Sequence, residues 1–247
     1  MTQQSPTSLS ATDLSVAANG GRFPVDGHAV IDRMDIPAPH EDFDALLADQ
    51  GGGSRRIPAD HDLVALLLRQ PAIRALVSGL LGPAARPVRA IAFDKTAGRN
   101  WLVPWHQDRT IAVDRHDESA DVRCWTVKNG VNHCEPPAEL LARMVTLRWH
   151  LDAVGPEDGC IRVLPGSHRR GRLAAADIRA LLAEIPAEDV PVPAGGVFVM
   201  SPLLVHSSRK RTTQGRRRVL HVELAAGEPP APLGWAWAQK TDGRANG

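Results

Sequence analysis

Tyrosine is missing from this chain of 247 residues, and phenylalanine occurs four times. No phenol is therefore present to clamp a substrate or relay a radical. Cysteine is scarce as well: there are three, with no Cys-x-x-Cys pair to hold zinc. An odd cysteine count without a signal peptide points to reduced thiols and a cytoplasmic setting. Net charge is almost nil, with 29 basic against 28 acidic side chains. Such a balance offers no field to recruit nucleic acid or an anionic membrane. No apolar run reaches the roughly 18 residues of a membrane-spanning helix. Gly51-Gly52-Gly53 lacks a following Gly-Lys-Ser/Thr, so no phosphate loop is implied. These absences fit a domain that acts on a small molecule, as a monomer or homodimer, without requiring it.

Residues 1–21 are small and polar and read as a disordered tail, 22–228 as one domain, and 229–247 as a C-terminal extension. A short strand at 28–31 is followed by leucines at helical spacing over 42–48, 61–68 and 71–81. Pro71 suits a first helical turn, and Gly82-Pro83 ends that helix. From Val88 the period becomes two, predicting strands at 87–94, 143–153, 161–164, 197–200 and 217–224. A single late helix is predicted over 174–184, and 114–137 reads as a pocket-covering loop carrying Lys128, Asn129 and His133. Helices first and strands afterwards suit a mainly β double-stranded β-helix, a jelly-roll or cupin-like barrel with flanking N-terminal α-helices. Strand polarity adds to this. Val145, Leu147, Trp149 and Leu151 alternate with Thr146, Arg148 and His150, and Arg217, His221 and Glu223 share one face of the last strand. A buried polar face is costly unless its groups are satisfied, as they would be around a metal and an acid.

His106-Gln107-Asp108 and the distant His206 carry the chemistry. Two imidazoles and a carboxylate form the facial triad of non-haem Fe(II) oxygenases. Residues i and i+2 of an extended segment point the same way, so His106 and Asp108 can share one ion. Past His206, the stretch 209–215 reads as a turn that returns Arg217 beside the histidine. A guanidinium there can grip a carboxylate through two parallel hydrogen bonds. Lys95 reads equally as a solvated strand end or a pocket residue. Arg148 and His150 read equally as a structural network or as ligand contacts.

The chain resembles the phytanoyl-CoA dioxygenase family of Fe(II)/2-oxoglutarate oxygenases. The stretches that carry the resemblance are Phe93-Asp94-Lys95-Thr96, Val103-Pro104-Trp105-His106-Gln107-Asp108 and Leu147-Arg148-Trp149-His150-Leu151-Asp152. Further on come Asp158-Gly159-Cys160, Pro165-Gly166-Ser167-His168 and Pro202-Leu203-Leu204-Val205-His206. The resemblance implies His106, Asp108 and His206 as iron ligands and Arg217 as the anchor of 2-oxoglutarate. Ile91, Ser208 and Arg148 would line the co-substrate pocket, with Trp101, Gln107, His150 and His133 towards the substrate. It also implies Fe(II), 2-oxoglutarate and O2 as cofactor and co-substrates, with succinate and CO2 released as a substrate C–H is hydroxylated. Desaturation or cyclisation by the same oxidant stays open, as do a non-catalytic metal-binding barrel and a cupin-type hydrolase or isomerase. Relatives acting on acyl-CoA have tryptophan where this chain has Arg148, which points instead to a small polar metabolite or natural-product intermediate.

Overall fold

The computed structural model describes residues 23–237 apart from 33, 35 and 36, so the expected N-terminal tail lies outside the described residues. Thirteen strands run as β1 (His28–Ile31), β2 (Gly53–Ile57), β3 (Arg86–Lys95), β4 (Val103–His106), β5 (Ile111–Val113), β6 (Arg123–Lys128) and β7 (Val131–Glu135). They continue as β8 (Met144–His150), β9 (Ile161–Val163), β10 (Glu188–Val190), β11 (Val197–Met200), β12 (His206–Ser208) and β13 (Arg217–Ala225). Six form a sheet in the order β1-β11-β8-β13-β3-β2, and four form a second in the order β10-β9-β12-β4. All pairings in both are antiparallel. Val30, Phe198 and Met200 of the large sheet meet Ile161, Val163 and Val190 of the small one in a shared apolar cluster. This is the double-stranded β-helix read from the sequence.

The alternation of β8 and β13 decides which way each side chain goes. Val145, Leu147, Trp149, Leu220, Val222 and Leu224 lie outward, packed on Phe43, Leu63, Leu67, Ile73 and Leu76 of the N-terminal helices. Of those helices, His40–Ala45 buries Phe43, while Asp62–Leu68 and Pro71–Leu81 carry leucines at three- and four-residue spacing. The His61 ring caps the second, accepting from the Leu63 amide at 3.2 Å, and Pro71 opens the third. With one sheet face sealed, Thr146, Arg148, His150, Arg217, His221 and Glu223 are buried on the other.

Two sequence expectations need correction. The stretch 114–137 is no loop: β6 and β7 form a hairpin and, with β5, a third sheet in the order β5-β7-β6. Asn129 and Gly130 make its turn with φ of 52° and 77°, the positive pair that an Asn-Gly hairpin supplies at little cost. The 174–184 segment is helical over Ala175–Glu184, but a second short late helix stands at Ala138–Leu141. Of the expected C-terminal extension, residues 229–237 are described, and Leu233 and Trp235 are buried against Ile111 and Val113 of β5.

Candidate active site

His106 ends β4 and His206 begins β12, and the two are direct partners across the ladder. Their rings lie 4.2 Å apart between centroids. Asp108 follows two residues after His106 and is pinned by its amide, which donates to the Pro202 carbonyl at 2.9 Å. Carbonyl oxygens fix both tautomers. Nδ1 of His106 donates to Pro104 O at 2.8 Å, and Nδ1 of His206 donates to Leu204 O at 2.9 Å. Each ring therefore turns Nε2 towards Asp108, at 3.6 Å for His106 and 3.7 Å for His206. Asp108 Oδ2 is buried and accepts no hydrogen bond. Burial alone would raise the Asp108 carboxyl, but His206 and His106 hold it well below its ordinary value. Burial with the neighbouring His106 pushes His206 down to about 3. Burial lowers His106 as well, but Asp108 outweighs it and leaves that ring above its ordinary value. Two Nε2 atoms and an ionised carboxylate form a donor set that fits a divalent cation, whose binding displaces any proton held on His106. Ligand atoms of the three lie within 4.8 Å of one another.

Asp108, His221 and Glu223 also lie within that distance. Their donors, however, are already used. Arg89 Nη2 donates to Glu223. Arg148 Nη1 can only donate, so His221 Nδ1 accepts from it at 2.8 Å, leaving the His221 proton on Nε2 for Glu223 at 3.1 Å. The second set is a closed network within the chain, and the first is open.

The cavity beside the triad measures about 140 Å³ and is lined by Ile91, Trp101, Arg148, Ser208 and Arg217 together with the three ligating side chains. Arg217 stands at the start of β13 opposite Lys95 of β3, both buried. Arg217 Nη1 donates to the Gly159 carbonyl, while its Nε has no partner. Gly159 has φ +64°, and a Cβ there would lie 2.3 Å from the Arg209 carbonyl oxygen, so glycine is required for this approach. Lys95 Nζ donates to Ser208 Oγ and the Arg209 carbonyl, each at 3.0 Å, and lies 5.1 Å over the Trp101 ring. It is no solvated strand end: it is fully buried and bonded to Ser208, which lines the cavity. Burial, followed by Arg217 and Arg148, pushes Lys95 down to about 7. Burial also lowers Arg148 to about 10, and burial with Arg148 nearby lowers Arg217 to about 9. None of these three cations has a carboxylate partner among the described residues.

The flanking arginines point the other way. Arg216 pairs with Asp44 and Asp94, and Arg218 with Asp44 and Asp152.

Three expected substrate residues are not on the cavity wall. Gln107 is a structural side chain: its Nε2 donates to the Gly171 and Leu203 carbonyls at 2.8 and 2.7 Å, and its Oε1 accepts from the Leu173 amide at 2.9 Å. Pointing opposite to His106 and Asp108 on an extended segment, it must face away from the ion they share. His150 is wholly buried beyond Arg148, and burial with Arg148 nearby keeps it well below the ordinary histidine value. His133 is buried in the third sheet, its Nδ1 donating to Val131 O at 3.0 Å. Sequence reasoning missed Phe93 and Arg89, which line the cavity. Counting back by twos along β3 from Lys95 through Ile91 to Arg89 would have found both.

The sequence pattern of the phytanoyl-CoA dioxygenase (PhyH) family matches residues 39–219. Comparison with curated proteins gives no significant match. Among solved structures, SnoK, a non-heme alpha-ketoglutarate-dependent carbocyclase from nogalamycin biosynthesis, is 19% identical with a TM-score of 0.64, covering 96% of this chain and 91% of its own. HygX from Streptomyces hygroscopicus, solved with nickel and 2-oxoglutarate, is 22% identical at a TM-score of 0.56, with 88% and 87% covered. EvdMO1 is also 22% identical at a TM-score of 0.59; 86% of this chain aligns, spanning 50% of that chain. Identities this low establish a shared fold. The match over 39–219, reaching from the N-terminal helices into β13, establishes more: the chain belongs to the phytanoyl-CoA dioxygenase family and is a 2-oxoglutarate-dependent non-haem iron oxygenase, using Fe(II), 2-oxoglutarate and O2.

Proposed function

We propose that His106, Asp108 and His206 hold the iron, that Arg217 binds the distal carboxylate of 2-oxoglutarate, and that the enzyme hydroxylates a C–H bond of a small polar or carboxylate-bearing metabolite. The observation that carries this reading is the set Lys95, Arg148 and Arg217, three buried cations without a carboxylate, next to an open two-histidine, one-carboxylate cluster. Unpaired buried charge is unfavourable, and a bound dicarboxylate relieves it.

The metal, once bound, supplies O2 activation, with oxidative decarboxylation of 2-oxoglutarate to succinate and CO2 as the electron source. The chain's own part is placement. Pro104 O and Leu204 O hold the two rings by their Nδ1 protons, so each presents Nε2 without a change of tautomer. Arg217 grips the far end of the co-substrate, Lys95 adds charge beside it, and Ile91 and Ser208 complete the wall. Arg148, held by His221, contributes to the same side. Trp101 lies across this pocket near Lys95 and shields it from water.

A cavity of about 140 Å³ lies below the roughly 300–1,000 Å³ usual for drug-sized ligands, which speaks against a long acyl-CoA chain inside the barrel. Arg148 speaks against it again, because a site built on donors rejects ligands that cannot use them. No single helix among the described residues is long and apolar enough to cross a membrane. Cys124, Cys134 and Cys160 are all free, in keeping with a reducing, cytoplasmic setting. The test is succinate release from 2-oxoglutarate by the Fe(II)-loaded protein across a panel of polar metabolites and acyl-CoA esters. Coupled turnover of a polar metabolite is the expected result; efficient coupled turnover of a long-chain acyl-CoA overturns the substrate reading.

A further inference from the structure

Arg56 was not among the residues that the sequence pointed to, and its position is informative. It lies directly opposite Ile91 on the paired strands β2 and β3, and Ile91 lines the cavity. Opposed residues of a ladder project to the same side, so Arg56 points to the barrel interior. Among the described residues its guanidinium makes no hydrogen bond or ion pair, and its Nε is buried without a partner. Two residues back from Ile91, Arg89 shares that face and is 5% exposed; Glu223 takes its Nη2, but its Nε is also unpartnered.

A third cation comes from the β6–β7 hairpin. Lys128 is half-buried, and its Nζ donates to Thr110 Oγ1 at 3.2 Å, two residues beyond Asp108. His133 of β7 is fully buried with Nε2 unpartnered. Electrostatics places these groups together. After burial, the largest influences lowering Lys128 are Arg89 and Arg56, opposed by Asp108 and Glu223. His133 is pushed down to about 4 by burial and then by Arg89, Lys128 and Arg56. Among the described residues, the carboxylates acting on Arg56 and Lys128 are Asp108, committed to the metal in the reading above, and Glu223, bonded to Arg89 and His221. Arg56 and Lys128 are therefore left in excess.

This cluster is not the co-substrate anchor. Arg217 and Glu223 lie six residues apart on β13, about 20 Å at the usual strand rise. Asp108 lies next to Glu223, with ligand atoms within 4.8 Å, so the triad stands near the Glu223 end of the strand and Arg217 at the other end.

We propose that Arg56, Lys128 and Arg89 form a second anion-binding subsite that holds an oxyanion of the primary substrate, a carboxylate or a phosphate ester, on the side of Asp108 away from Arg217. This deepens the reading above and rests on it for the roles of Asp108 and Arg217. The guanidinium of Arg56 offers a flat two-point grip, and Lys128 adds a mobile point charge from the hairpin. A substrate so held keeps its charged end at the β2–β3 edge and extends its other end towards the triad. The hairpin that delivers Lys128 would order around the bound anion.

Calorimetry on the full chain loaded with Ni(II) and 2-oxoglutarate tests this, because the Arg217 site is then already filled. Inorganic phosphate and acetate are titrated separately, and the tighter of the two identifies the group. The expected result is one saturable site, weakened about tenfold or more in Arg56→Gln and in Lys128→Gln, and weakened less in Arg56→Lys, which keeps the charge but loses the two-point grip. Arg115→Gln, at an exposed arginine paired with Asp114, serves as the control for unspecific charge effects. Should Arg56→Gln not fold, Lys128→Gln on the hairpin gives the same readout. No binding of either anion, or binding equally tight in both neutralised variants, overturns the subsite. Failure of 2-oxoglutarate to bind the nickel-loaded protein is a separate result: it defeats the co-substrate reading, and the same titrations on that protein still decide the subsite.

Discussion

The outward and inward faces of β13 are equally buried and differ in everything else. Leu220, Val222 and Leu224 face the N-terminal helices, while Arg217, His221 and Glu223 face the barrel interior. Burial on the outer face is favourable by roughly 25 cal/mol per Å² of apolar surface. On the inner face it is unfavourable unless each charge is answered. The inner face then divides again along its length. Glu223 answers Arg89, and both nitrogens of His221 are bonded. Arg217, with Lys95 opposite and Arg148 on the next strand, meets no carboxylate among the described residues. On β13 itself, His221 and Glu223 are answered within the chain, and Arg217 is answered by no carboxylate among the described residues.

The largest expected effect comes from breaking the open end at the metal. Asp108→Ala removes the sole carboxylate of the triad, so Fe(II) affinity by calorimetry and succinate release should both be lost. Full turnover in this variant would remove Asp108 from the ligand set.

Next comes the contrast between neighbours on one strand. Arg217→Ala should raise the KM for 2-oxoglutarate roughly 30-fold or more, since deleting one partner of a buried charge pair costs about 2–5 kcal/mol. Arg216→Ala should leave that KM unchanged and lower Tm instead, because Asp94, 1% exposed, loses its guanidinium. Equal KM effects from the two variants would mean that the strand register is wrong by one.

Leu220→Ala tests the outer face. A cavity between β13 and the helices should cost about 2–5 kcal/mol, with Tm falling by roughly 2–4 °C per kcal/mol for a chain of this size. KM for 2-oxoglutarate should not move. A large change in KM with an unchanged Tm would contradict the division of labour between the two faces.

The sequence made the outer and inner faces legible because period two assigns every residue of a strand to a side once one is fixed. Arg217 and Arg148 were placed on the inner face that way, Ile91 came from the family resemblance, and Arg89 and Phe93 were reachable by the period-two count. The third sheet was not read, although Asn129-Gly130 between two β-rich stretches is a strong hairpin signal. Its strands are irregular: Cys124 has φ +55°, and the β6–β7 register shifts between Arg123 and Thr126, which blurs the alternation. Arg56 was invisible for another reason. β2 is five residues long behind a run of glycines, and only its pairing with β3 reveals which way the arginine faces. Gln107 misled because adjacency to two ligands says nothing of direction, and on an extended chain it must point away from both.

Lys95 offers the finest test of the open end, through pH. Burial, then Arg217, Arg148 and Arg211, push its amine down to about 7. In the unfolded chain the amine has an ordinary value of about 10.4. Between those two values the folded chain binds fewer protons than the unfolded one, so this group makes stability rise with pH. Below about 7 both states carry the proton, and the cost of burying the ammonium is felt in full. The slope is best read from about pH 7 to 8.5, because Cys134 and Cys160, raised by burial to about 11, act in the opposite direction above that. Lys95→Met should melt higher than the wild type near pH 7 in the ligand-free state, with the difference shrinking towards pH 8.5. Adding Ni(II) and 2-oxoglutarate places negative charge beside Arg217, which favours the Lys95 ammonium and raises its pKa. The wild-type slope over this window should then flatten, while the variant, having no amine to titrate, responds only in its absolute Tm. Parallel pH curves for wild type and Lys95→Met, with and without ligand, would show that Lys95 is not held near neutrality by the empty anchor.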